Sequence, residues 1–427
     1  MKTIEYPRLG ETLHKTVLEN GLTVAVVPRP GFTKKLAYFV TDFGSIHTEF
    51  ELDGVHHQVP SGVAHFLEHK MFDMPDGRDV SAELAGLGAG VNAFTSYDIT
   101  AYYVVCTKNF RECLKTLVEF VSTPYFTAES VQKEMGIIDQ EIGMNLDAPD
   151  SQVFEELMNS LFYRHPMRVP ILGTSETIRQ ITPEILHTCH RAFYTPGNMM
   201  LCVVGDVTLE EVAEVATEVL GNEHRSVGRK LLPQEPEMTV ARESHYRTME
   251  VAMPTFELGF KCEDAGWGRE SVKKEIIGDL AAEALFGESS QLYLELYEEG
   301  LIDGSFGGGY ETSEGVSMLF CGGDSDDPEA VRDAVLNRVA ELVETGIDEA
   351  EFLRMKRSAM GRRIRDLDSF DSTCFRVCAH HLSKFDYFDF PGLYEEVNAK
   401  ELLEFLHRCV RAERASLSVI EPMEAEA

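Results

Sequence analysis

Ser61-Gly62-Val63-Ala64-His65-Phe66-Leu67-Glu68-His69-Lys70-Met71-Phe72 is the stretch that decides how the rest of the chain is read. Its two histidines lie four residues apart. On a helix that spacing puts both imidazoles on one face, one turn apart, where both can bind a single ion. Neutral imidazole is the commonest nitrogen donor to zinc. Glu68 stands beside His69 and three residues after His65. It leans over the same site, where a carboxylate can take a proton from water. The order of residues inverts the His-Glu-x-x-His pattern. A solvated helix that carries two His and a Glu by chance is the alternative at this point.

A tetrahedral catalytic zinc takes three protein ligands and leaves the fourth position to water. Candidates for the third ligand lie between Thr127 and Ile142. Val131, Ile138 and Ile142 recur at helical spacing. Thr127 suits an N-cap and Glu129 the first turn. Glu134 and Glu141 are seven residues apart, two turns along one face, so one can ligate while the other supports it from behind. The alternative is an ordinary acidic helix, in a chain with 72 acidic and 39 basic residues.

These residues together resemble the pitrilysin, insulysin and mitochondrial processing peptidase family of inverted-motif zinc peptidases. The resemblance implies one zinc per chain, held by His65, His69 and Glu141. It also implies Glu68 as general base and Glu134 as its helper. It extends to Asn92-Ala93-Phe94-Thr95, which is similar to the family's substrate-binding edge strand, to Tyr194-Thr195-Pro196-Gly197-Asn198-Met199 and to Val204-Gly205-Asp206. The likeness covers nearly the whole chain. The implied activity is a zinc-dependent endopeptidase acting on short or unfolded peptides inside a closed chamber.

A length of 427 residues allows two domains, and 44% hydrophobic residues can fill two cores. The formal net charge of −33 repels phosphates and argues against nucleic acid as a partner. The same field would attract basic peptides and cations, although solubility explains it as well. Met1 to Pro30 shows no leader pattern, and no apolar run is long enough to span a bilayer, so a cytoplasmic protein without membrane contact is expected. Nine scattered cysteines read as reduced core residues. Cys374 and Cys378 read as a helical core pair rather than a metal pair.

Along the chain, Thr23 to Pro28 and Leu36 to Thr41 are β-rich and read as a hairpin-like start to a sheet. The metal helix runs roughly from Gly62 to Phe72 and a short helix from Val80 to Leu87. Strands follow at Val91 to Thr95 and Thr100 to Cys106. Helices are expected over Phe110 to Ser122, Asp150 to Leu161, Ser175 to Ala192 and Val207 to Leu220. The polar run from Gly221, followed by Pro233 and Pro236, reads as a linker. The second half repeats the first in outline, with strands in Arg247 to Cys262 and Gly315 to Cys321. Helices there span Val272 to Phe286, Pro328 to Glu344 and Asp348 to Leu367. Aligning Thr127 with Asp348 puts Arg362 where Glu141 stands, so one copy of a duplication lacks the metal site. The expected fold class is α+β: two homologous α/β sandwich domains, each a sheet packed by helices, the half-clamshell unit of the family. The expected boundaries are a zinc-binding domain over 1–221, a linker over 222–236 and a second domain over 237–427.

One segment departs from the family. Active members often carry an Arg and, seven residues on, a Tyr that help bind substrate, after a Leu-Arg-Glu signature. Here the run is Leu296-Tyr297-Glu298-Glu299-Gly300-Leu301-Ile302-Asp303, with neither residue in register. Tyr310 is the candidate replacement. The family closes its chamber from four such domains, which implies a homodimer or a heterodimer with a homologous two-domain chain. A weakly active or non-catalytic peptide-binding subunit of a processing complex is the competing expectation.

Overall fold

The structure, a computed structural model, describes residues 1–423. Its strands are β1 (Lys2–Tyr6), β2 (Glu11–Val17), β3 (Thr23–Pro28), β4 (Lys35–Thr41), β5 (Glu49–Leu52), β6 (Val55–Gln58), β7 (Ala89–Thr95), β8 (Thr100–Cys106), β9 (Met199–Gly205), β10 (Arg229–Lys230), β11 (Ser244–Met249), β12 (Thr255–Cys262), β13 (Gly307–Ser313), β14 (Val316–Asp324) and β15 (Ala415–Pro422). The helices of the first half are α1 (Val63–Lys70), α2 (Val80–Gly86), α3 (Phe110–Ser122), α4 (Ala128–Leu146), α5 (Pro149–Leu161), α6 (Ser175–Ile178), α7 (Pro183–Phe193) and α8 (Leu209–Leu220). Those of the second half are α9 (Gly268–Phe286), α10 (Gln291–Glu298), α11 (Pro328–Thr345), α12 (Glu349–Arg365), α13 (Phe370–Leu382), α14 (Phe390–Glu396) and α15 (Ala399–Cys409).

The chain forms two compact units. The first comprises residues 1–142, 170–232 and 363–389, and the second, among the described residues, 143–169, 233–362 and 390–423. The first unit is built on a seven-stranded sheet in the order β1-β2-β3-β9-β4-β8-β7, and the second on a five-stranded sheet in the order β11-β15-β12-β14-β13. The duplication shows in the topology. In the first unit β3 runs parallel to β9, while β4 is antiparallel to both β9 and β8. In the second, β11 runs parallel to β15, while β12 is antiparallel to both β15 and β14. Both sheets are packed by helices, so the expected two-fold repeat of sheet and helices is the observed architecture.

Three expectations need correction. β3 and β4 are not a hairpin, because β9 lies between them and pairs with both. Leu201 to Val204 reads as a strand in the sequence, but its insertion between β3 and β4 from about 160 residues downstream leaves no local signal. The helix expected over 175–192 is two helices, since Thr182 caps a new helix at Pro183, with its hydroxyl accepting from Ile185 N. The linker over 222–236 is built into the fold. Arg229 and Lys230 pair with β5. Glu235 accepts backbone N–H groups from Tyr163, Arg164 and His165 and pairs with Lys261 Nζ at 2.6 Å.

The compact units also cross the expected boundaries. α5 packs against β12 and β15 of the second unit, and α13 against β4 and β9 of the first. Phe375 of α13 meets Phe94 with ring centroids 5.8 Å apart, and Cys374 Sγ donates to Cys202 O. Each half therefore contributes a helix to the other's sheet. Amphipathicity tells that a helix has a buried side and is silent on which sheet it covers. The cysteines among the described residues are free and buried.

Glu257 marks the cost of covering β12. Its neighbours Phe256, Leu258 and Phe260 are fully buried. Its own Oε2 is buried without a hydrogen-bond partner. Burial, then the charge of Asp150, push its pKa up to about 7 from 4.5. A carboxyl with a raised folded-state pKa stabilises the fold fully below its unfolded value, and that contribution is lost as pH rises toward 7. Glu257→Gln should therefore match wild type near pH 4.5 and exceed it at pH 8 by up to about 3 kcal/mol in urea unfolding. Equal stability of the two proteins at pH 8 would show that the buried carboxyl is not strained.

Candidate metal centre

α1 is only eight residues long, too short to persist in water by its own hydrogen bonds. Burial holds it. Val63, Ala64, Phe66 and Leu67 lie in the core of the first unit. Its entry depends on Gly62, which has φ +89° and whose missing Cβ would lie 2.4 Å from Leu172 O. A side chain there would be strained twice, by backbone conformation and by contact. With the apolar face locked, His65 and Glu68 are each 8% exposed and lean out of the core edge.

α4 is placed by the same logic. Val131, Ile138 and Ile142 are its buried stripe. Thr127 caps it as expected, with Oγ1 accepting from Ser130 N at 3.1 Å. Glu134 and Glu141 flank that stripe on the side facing α1. His65 Nε2 lies 3.7 Å from Glu141 Oε1, and His69 Nε2 lies 3.7 Å from Glu141 Oε2. These separations are too long for hydrogen bonds. Zinc bonds of about 2.0–2.1 Å would put tetrahedral donors about 3.3 Å apart, so each imidazole nitrogen lies only a few tenths of an ångström farther from its Glu141 oxygen than two zinc ligands would. Among the described residues, His65, His69 and Glu141 form the group of three whose donor atoms all lie within 4.8 Å of one another. The donor set, two imidazoles and a carboxylate, suits zinc.

Behind the donors, His69 Nδ1 donates to Glu134 Oε1 at 3.0 Å. That bond leaves Nε2 as the lone-pair nitrogen facing Glu141. Lys70, 1% exposed, joins α1 to α4. Its Nζ pairs with Asp73, donates to Ser130 O at 3.4 Å and lies 3.9 Å from Glu134 Oε2. Lys70 is not among the residues expected at the site from sequence. Its signal was a charge inside the apolar run that follows the motif.

Electrostatics favour the ligand form. Burial, and then the neighbouring His69, lower the His65 pKa to about 4, so its imidazole is neutral at pH 7. Burial alone would pull His69 down as well. The hydrogen bond to Glu134 and the charges of Glu68, Glu134 and Glu141 outweigh it and raise His69 above its ordinary value. The hydrogen bond from His69 holds Glu134 below the usual carboxylate range. Glu68 moves the other way. Burial raises it, against the pull of the Thr95 hydrogen bond and of His69. A base that returns its proton works better with such a raised pKa.

The candidate substrate residues divide. Asn92, Ala93, Phe94 and Thr95 lie on β7, which ends the seven-stranded sheet and pairs on one side, with β8. Asn92 is exposed, with Nδ2 donating to Tyr103 OH at 3.3 Å. Phe94 packs on Tyr38 and Phe375. Thr95 faces the opposite way and donates to Glu68 Oε2 at 2.7 Å, a contact the sequence reading missed. Tyr310 is not a surface residue. It is 9% exposed, inside the second unit, with its ring against Phe405 of α15, so its assignment as a substrate residue is withdrawn. Arg362, which the alignment of Thr127 with Asp348 matches to Glu141, pairs with Glu283 Oε2 at 2.8 Å.

The family model described as Insulinase (Peptidase family M16) matches residues 53–175, and that described as Peptidase M16 inactive domain matches 180–359. The chain is 34% identical over 437 aligned residues to a protein of Bacillus subtilis named as the zinc protease YmfH, covering 99% of each. The crystal structure of an M16-like peptidase from Alicyclobacillus acidocaldarius matches with a TM-score of 0.93 at 33% identity, over 99% of this chain and 100% of that one. A protease from Helicobacter pylori shares the fold at 20% identity, with a TM-score of 0.82 over 96% of this chain and 99% of that one. The first matched segment contains both imidazoles and both helix carboxylates, the second reaches the copy in which they are missing, and the chain belongs to the insulinase peptidases, family M16.

Proposed function

We propose that this chain is a zinc-dependent endopeptidase. The observation that carries the reading is the convergence of His65 Nε2, His69 Nε2 and Glu141 on one point, with the Glu68 carboxylate on the same helix face. His65, His69 and Glu141 would hold the ion and Glu134 would orient His69. A zinc ion there supplies a Lewis acid that polarises the scissile carbonyl and lowers the pKa of water. Glu68 accepts the proton of the attacking water and returns it to the leaving amine. β7 offers the free edge of its sheet, and an extended peptide adding to it gains main-chain hydrogen bonds. The substrate class is short or unfolded peptide. Among the described residues no helix is long and apolar enough to cross a membrane.

Glu68→Gln keeps the size of the side chain and removes its basicity. Turnover of a quenched peptide library should fall at least about 100-fold, with about one zinc per chain retained by metal analysis. Full activity in that variant would remove Glu68 as the base. Glu141→Gln should lose zinc outright, and Glu134→Gln should weaken zinc binding about 10- to 100-fold in chelator competition. Unchanged zinc affinity in both would refute the ligand assignment.

A second reading is favoured by the run Leu296–Asp303, which lacks the family's Arg and Tyr, and by the buried position of Tyr310. It makes the chain a peptide-binding subunit whose activity needs a homologous two-domain partner. In either case we infer a dimer, with itself or with such a partner. Light scattering of the purified chain alone, and with a sister chain, tests this. A monomer in both conditions would refute it.

A further inference from the structure

A general base must present one oxygen to the proton it takes, and the terminal torsion of a glutamate is otherwise soft. In this chain Glu68 Oε2 is tied off by Thr95 Oγ1 at 2.7 Å, which leaves Oε1 for water. A hydroxyl carries a single hydrogen. Thr100 spends its own on Phe43 O at 2.9 Å. Thr100 Oγ1 lies 3.4 Å from Thr95 Oγ1 and so is not the shorter partner, and the Thr95 hydrogen goes to Glu68.

Thr95 is itself fixed. It is the last residue of β7 and pairs with Thr100 across the hairpin. The tip beyond it is closed by Ser96 N donating to Ile99 O at 2.8 Å. The tip is then pinned to the loop after β4 by Ser45 N on Ser96 O at 3.0 Å and Ile46 N on Tyr97 O at 3.1 Å. That loop approaches so closely that a Cβ on Gly44 would lie 2.3 Å from Tyr97 O. The hydroxyl that reaches Glu68 therefore stands on a frame with little freedom to drift.

The same strand has an unpaired outer edge. Alternate residues of β7 face opposite sides, so Asn92 and Phe94 point away from α1 while Thr95 points toward it. We propose that Thr95 is a positioning residue for Glu68, and that the strand which takes up the peptide backbone also sets the orientation of the base. The proposal rests on the peptidase reading for the role of Glu68. It assigns Thr95 to the base rather than to the peptide contact suggested by its place in the Asn-Ala-Phe-Thr run.

The test compares Thr95→Val and Thr95→Ser with wild type in the full chain, loaded with zinc. Thr95→Val should lower kcat about 10- to 100-fold, with KM within about threefold, while Thr95→Ser, which keeps the hydroxyl, should stay within about threefold of wild type in both. Zinc content and melting temperature of the folded variants report whether the loss is local. If Thr95→Val does not fold, Thr95→Ala is read in its place. A rise in KM with kcat unchanged would make Thr95 a substrate contact and overturn the proposal, as would equal losses in the Ser and Val variants. Crystal structures of the same proteins give a readout that needs no turnover: Glu68 should leave its pose in Thr95→Val and keep it in Thr95→Ser. An inactive wild type would sink the peptidase reading. A Glu68 unmoved in the Val variant would sink this one.

Discussion

The geometry depends on one meeting, that of the Glu141 carboxylate with the Nε2 atoms of His65 and His69. Neither helix could arrange it alone. α1 is too short to be stable by itself, and α4 carries its carboxylates beside an apolar stripe. The core of the first unit seats both helices, through Phe66 and Leu67 on one and Val131, Ile138 and Ile142 on the other. Apolar burial, worth about 25 cal/mol per Å², therefore supplies the alignment that a polar cluster could not supply for itself. Three partly desolvated ligands facing one gap are poorly solvated without a cation, and this is why the arrangement favours binding one.

Around that meeting the site is supported in layers. Glu134 orients His69, and Lys70 neutralises Glu134 from a position with almost no solvent. Thr95 anchors Glu68 from the sheet edge. Each support comes from a different element, so the metal helix is held at its flanks by α4 and by β7. A base with a raised pKa and a ligand histidine with a lowered one coexist within a few residues because burial disfavours the charged form of each, which raises a carboxyl and lowers an imidazole.

The second unit is the control built into the chain. It repeats the order and sense of the five strands β3-β9-β4-β8-β7 in β11-β15-β12-β14-β13. Where aligning Thr127 with Asp348 matches Glu141, the second copy has Arg362, held by Glu283. An arginine is a donor only and has no lone pair to offer a cation. The scaffold is therefore separable from the chemistry, as expected when function lives in a site carried on a fold.

Local pattern carried much of this. The spacing of His65, Glu68 and His69, the cap and stripe of α4, the exact span of α3 and the pairing of β7 with β8 all follow from periodicities of 3.6 and 2 acting over neighbouring residues. The choice of Glu141 over Glu134 as ligand rested on family likeness, since two carboxylates on one helix face look alike in sequence. What only the tertiary structure decided is long-range: β9 inserted between β3 and β4, α5 and α13 each placed on a sheet built from the other half of the sequence, Tyr310 turned into a core, and Thr95 turned toward Glu68. Such contacts are selected by which buried surfaces fit together and by where hydroxyl hydrogens can be spent. Those terms depend on residues far apart in the chain, and no window of sequence contains both partners.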